Sequence, residues 1–137
     1  MADQLLTDGA RNGEAIPISC PECHGVLKLR VEGPKHHLVF VCRVQHTFSV
    51  IDLLTGKEDH LESRLWSALN LAEELGELMR QLGRLAVRQG LEAAGRALDE
   101  RAQRAAQQAT DIRRIIENNR AVEVGDEVAR IHAGDGR

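Results

Sequence analysis

The chain has 137 residues, 42% of them apolar but only 2% aromatic; Tyr is absent and Phe40, Phe48 and Trp66 are its only aromatic rings of this class. A core drawn from such a composition is mostly Leu, Val, Ile and Ala, which suits packed helices better than a β-sandwich. The formal charge of −3 and pI of about 6.1 argue against nucleic acid as the main partner, the mixing of both signs along the chain excludes a polybasic membrane patch, and no apolar run reaches transmembrane length.

Residues 1–17 contain "MADQLLTDGARNGEAIP", which is polar, carries Gly9, Gly13 and Pro17, and lacks the charged start and apolar stretch of a signal peptide. They read as a flexible leader. The expected location is the cytoplasm, where cysteines stay reduced. Residues 18–55 read as a small β lobe. In "VLKLRV" Leu27, Leu29 and Val31 alternate with Lys28 and Arg30, "EGPKHH" is a turn signal, and "LVFVC" is a short β-branched and aromatic run. Together they predict a β-hairpin, with "HTFSV" as a third strand. Ser49, with Asp52 three residues on, opens a capping pattern for a short helix through Leu54 that Thr55 and Gly56 would end.

From Lys57 the period changes. Leu61, Leu65, Ala68, Ala72, Leu75, Met79, Leu82 and Ala86 alternate spacings of four and three, a sustained heptad. "VRQGLEA" offers a turn. Leu91, Gly95, Leu98, Ala102, Ala105, Ala109, Ile112 and Ile116 then repeat the rhythm. The expectation over 57–118 is an antiparallel two-helix coiled-coil hairpin, its first helix about 45 Å long. The small residues of the second seam allow close approach, and Leu69, Leu71, Leu78, Leu85 and Ile115 fall outside the inner seams. Residues 119–137 read as a polar tail. The predicted fold class is therefore α+β: a small β-hairpin lobe of zinc-ribbon type, then the helical hairpin.

The chemistry lies in two short motifs. Cys20 and Cys23 stand in "CPECHG", Cys42 and His46 in "CRVQH", giving C-x2-C-x18-C-x3-H. Two such knuckles at the ends of hairpin arms bring together the N/S set that tetrahedral Zn²⁺ takes. A lobe of this size buries too little apolar surface to fold alone, and a structural zinc contributes on the order of 10–16 kcal/mol of apparent binding energy. Three thiolates and a neutral imidazole around one Zn²⁺ leave a net charge of −1 and no open position, so the expected cofactor is structural rather than catalytic. A redox pair at Cys20 and Cys23 would want a helix start in a βαβ unit, and Cys42 with His46 as nucleophile and base would want a third orienting group; neither context is visible. Of the other histidines, His24 follows Cys23 directly, His36 and His37 sit in the hairpin turn, and His60 and His132 lie on the helix and in the tail.

"CPECHGVLKLRV" and "HLVFVCRVQHTFSVIDLL", followed by "LWSALNLAEELGELMRQLGRLA" and "LDERAQRAAQQATDIRRII", resemble the zinc-ribbon and helical-hairpin extension at the C-terminus of some bacterial CheB-type chemotaxis protein-glutamate methylesterases, and stand-alone proteins of that make. The resemblance spans roughly residues 18–118. It departs at His24 and Gln45, where those relatives carry glycine, which tolerates positive φ at a tight knuckle. The methylesterase domain has no counterpart in these residues, which hold no G-x-S-x-G-like nucleophile turn. The expectation is a non-catalytic, zinc-stabilised interaction or regulatory module, linked to chemotaxis-type signalling, with a protein partner or a second copy bound through the hairpin and no small-molecule substrate. The alternative is a nucleic-acid-binding zinc ribbon in transcriptional regulation, using Lys28, Arg30, Lys35 and Arg43.

Overall fold

The structure, a computed structural model, describes residues 13–119 and 127–132. The class is α+β. Four antiparallel strands follow one another in the sheet in chain order: β1 (Ala15–Ser19), β2 (Val26–Glu32), β3 (His37–Val41) and β4 (Thr47–Phe48). Two long helices come next, α1 (Val50–Arg88) and α2 (Glu92–Asn118). Among the described residues, 13–60 with 127–132 form one compact unit and 61–119 a second.

The pleat of β2 sorts its side chains as the alternation predicts. Leu27 and Leu29 are buried, while Val26 and Lys28 face outward. β2 pairs with β3 from Lys28 opposite Val41 to Glu32 opposite His37, and Gly33 and His36 take positive φ in the turn between them. One side of the sheet, with Ile16, Leu27, Leu29, Phe40 and Phe48, closes over Leu53 of α1 to form the core of the lobe. The expectation that residues 1–17 are a leader is corrected where the chain is described: Ala15 begins β1, and Ile16 is buried. Pro17 hid this strand, because it cannot donate to a ladder. β1 accommodates it as an edge strand whose register slips between Ile16 and Ser19. Residues 1–12 lie outside the described part. In the tail, 127–132 hold a 3₁₀ turn (Val128–Arg130), and His132 bridges to His37 of β3.

The helix start also needs correction. Ser49 does cap, accepting from the Asp52 N–H at 3.1 Å, but the helix does not stop at Thr55 and Gly56. It runs unbroken from Val50 to Arg88. Gly56 is there for clearance: a Cβ would stand 3.0 Å from Cγ of Pro21. α1 ends where Gly90, at φ +79, lets Leu91 N–H bond to Ala86 O and Gly90 N–H to Val87 O, which satisfies the last carbonyls.

Within the second unit the helices form a hairpin, tied by Arg113 to Glu73 at 2.7 Å. The seam of α2 is the expected one from Gly95 on, with Gly95, Ala102, Ala105 and Ala109 buried, but Leu91, expected to open it, precedes the helix and is exposed. The seam of α1 is rotated from expectation. Leu69, Ala72, Gly76, Gly83 and Ala86 are buried, whereas Ala68, Leu75 and Leu82 are exposed. Leu69, expected outside the seam, is only 1% exposed and packs with Ala72, Ala109, Ile112 and Ile116. Glycine and alanine facing glycine and alanine let the two backbones close up, and that contact outcompetes the larger leucines beside it. Among the described residues no helix is long and apolar enough to cross a membrane.

Candidate metal centre

Two turns built alike position the donors. In the first, Cys20 N–H bonds to Gly25 O at 2.7 Å and His24 N–H to Cys20 O at 2.9 Å. In the second, Cys42 N–H bonds to His46 O at 3.1 Å and Gln45 N–H to Cys42 O at 3.0 Å. Each turn folds back so sharply that one residue takes a left-handed conformation: His24 at φ +62 and Gln45 at φ +71. These are the two positions where glycine was the expected residue. The first turn joins β1 to β2 and the second joins β3 to β4, so the sheet brings both to one end.

The donor atoms of Cys20, Cys23, Cys42 and His46 lie within 4.8 Å of one another. His46 Nδ1 is 3.3 Å from Cys42 Sγ and 3.7 Å from Cys20 Sγ. Tetrahedral zinc with bonds of about 2.3 Å to sulfur and 2.0–2.1 Å to nitrogen requires S···N edges of roughly 3.6 Å. The donor set and its spacing therefore fit one zinc ion. Cys20 and Cys42 are buried, Cys23 is exposed, and all three are free thiols. His24 turns its ring to that of His60, with centroids 4.9 Å apart. Among the described residues no other group of three or more His, Cys, Asp or Glu side chains gathers in this way.

The backbone prepares the sulfurs for thiolate chemistry unequally. Burial opposes ionisation of Cys42, but N–H groups of His46 and Val44, with the neighbouring Cys23 and Cys20, outweigh it and bring this thiol down to about 7. The His46 N–H reaches Cys42 Sγ at 3.2 Å. At Cys23 the Gly25 N–H favours the thiolate, yet desolvation and the adjacent Cys42 and Cys20 sulfurs prevail and raise it. A cation among the three sulfurs would relieve that mutual repulsion, which is the condition under which a cysteine cluster binds metal.

Three contacts around the donors were not foreseen. Glu22, inside the first cysteine pair, sits 3.0 Å from His46 Nε2. It thereby holds the ring with Nδ1 towards the sulfurs, the usual device for orienting a ligating histidine. Pro21 packs on Gly56 of α1, and Lys57 Nζ donates to Ser19 Oγ at 2.7 Å. Periodicity and ligand spacing carry no signal for any of these, since they depend on which helix turn the first knuckle meets. Comparison of the chain with protein-family models, curated proteins and solved structures returns no match.

Proposed function

We propose that this chain is a non-catalytic protein-interaction module, in which a zinc-ribbon lobe is stabilised by one structural Zn²⁺ on Cys20, Cys23, Cys42 and His46 and joined to a coiled-coil hairpin that presents a helical surface. The observation that carries it is the convergence of the four donors within 4.8 Å from two turns distant in sequence. Such a set fills all four positions of a tetrahedral ion and leaves none for substrate. The likeness of the cysteine pair, the C-x3-H and the "LWSAL" helix to extensions of chemotaxis methylesterases supports a place beside signalling proteins of that kind. Thiol titration with elemental analysis tests the reading. One zinc per chain, with thiols unreactive until a chelator is added, supports it. Metal-free protein with a reactive Cys20–Cys23 pair would favour redox chemistry instead.

A second reading, nucleic-acid binding, has one observation in its favour: Lys28, Arg30 and Arg43 line a common cleft on the β lobe. Arg30 is engaged by Glu32 at 2.6 Å, which lowers the free charge of that surface. Failure to bind single- or double-stranded DNA at low salt removes this reading.

A further inference from the structure

The hairpin buries one stripe of α1 and leaves a second uncovered. Leu71, Leu75, Leu78, Leu82 and Leu85 recur at spacings of four and three, and each is between 40% and 57% exposed. They make a strip about 21 Å long beside the face that α2 covers. A contiguous leucine strip marks an interaction surface, and the alternation of four and three is the rhythm by which one helix receives the side chains of another. The occupant it fits is a helix.

Charge identifies which helix. Glu73, Glu74 and Glu77 accompany the first half of the strip and Arg80, Arg84 and Arg88 the second. The sign changes between Glu77 and Arg80, next to Leu78 at the strip's midpoint. A second α1 laid antiparallel sets each acidic half against a basic half; a parallel one sets like against like. Glu77 already meets Arg80 at 3.0 Å and Glu73 meets Arg113, so the pair best placed to cross is Glu74 and Arg88, two heptads apart on one edge of the strip. The leucines would supply affinity and the charges orientation. The rotated seam leaves leucines for such a contact. Leu75 and Leu82 belong to the heptad read from the sequence yet stay 40% and 42% exposed against α2. In a four-helix bundle made by two hairpins they would face the interior.

We propose that this strip is the interface of an antiparallel homodimer with its two-fold axis near Gln81, the midpoint that brings Glu74 of one copy opposite Arg88 of the other, an isologous contact in which the same surface serves both copies. The proposal rests on the interaction-module reading and specifies its partner as a second copy of this chain. Sedimentation of the full zinc-loaded chain over a micromolar concentration series tests it. The expected mass is twice 15.1 kDa. Leu78→Glu should give monomer with zinc content and helicity unchanged, because this half-exposed side chain supports no core. Glu74→Arg and Arg88→Glu should each raise the dimer dissociation constant roughly tenfold, and the double variant should recover most of that loss. Monomer throughout the series, a dimer indifferent to Leu78→Glu, or charge reversals that do not rescue one another would overturn it. A zinc-bound monomer would overturn the dimer and leave the module reading standing; a zinc-free dimer would do the reverse.

Discussion

His46 offers Nδ1 to the sulfurs of Cys42 and Cys20 and turns Nε2 to Glu22. Removing the carboxylate frees the ring to rotate, so Glu22→Ala should weaken zinc binding about tenfold, the lower end of the range for a partner behind a metal ligand, as competition with a chromophoric chelator would measure. Gln45 carries a different cost. Its left-handed backbone disfavours any side chain by about 1–2 kcal/mol, part of which the extra freedom of an unfolded glycine offsets. Gln45→Gly should therefore stabilise the zinc-loaded lobe by roughly 0.5–1 kcal/mol in denaturant unfolding. That Cys20, Cys23, Cys42 and His46 gather was legible because spacing between cysteines and histidines is written directly in the sequence, whereas the left-handed turns at His24 and Gln45 were expected only through the resemblance. Glu22 was not, since a carboxylate between two cysteines looks the same whether it faces a histidine or water.

Glycine has two structural roles in the helices, and only clearance separates them. A Cβ on Gly76 would meet Ala105 Cβ and Ala102 O at 3.7 Å, an ordinary contact, whereas on Gly95 it would meet Val87 Cγ2 at 2.6 Å and Gly83 O at 3.3 Å. Gly76→Ala should then gain up to about 1 kcal/mol from helix propensity, while Gly95→Ala should lose about 1–3 kcal/mol by overpacking, both read from thermal melts at the helical circular dichroism band. Equal effects of the two would show that the helices do not meet where described. At this scale the two helices and the small-residue seam of α2 were legible but the rotation of the α1 seam was not. Ala68, Leu75 and Leu82 carry as strong an apolar period as Leu69, Gly76 and Gly83, and periodicity weighs side-chain size when the hairpin selects for close backbone approach. The continuity of α1 through Gly56 was hidden for a related reason. A helical glycine and a terminating one are alike in sequence, and only Pro21 shows which this is.

The chain divides into two units with different sources of stability. The lobe of residues 13–60 packs its buried side chains around the donor cluster, so a metal held there would be part of its stability, whereas residues 61–119 depend on helix packing. Chelation should abolish hydrogen-exchange protection in β1 to β4 and in α1 up to His60, where Leu53 and Gly56 pack on the lobe, and spare residues 61–119. Loss of protection in both would mean that the units unfold as one. The order of lobe and hairpin was legible from the change of period at Lys57. The assignment of the first turns of α1 to the lobe was not, because it rests on the contacts of Leu53, Gly56 and Lys57 with residues some thirty to forty positions earlier. The central claim is that one zinc ion joins the two knuckles through Cys20, Cys23, Cys42 and His46, and X-ray absorption at the zinc edge on purified, reduced protein tests it most directly. The account predicts one zinc per chain with three sulfurs at about 2.3 Å and one nitrogen at about 2.0–2.1 Å. A metal-free protein, or a zinc shell with fewer than three sulfurs, would contradict it.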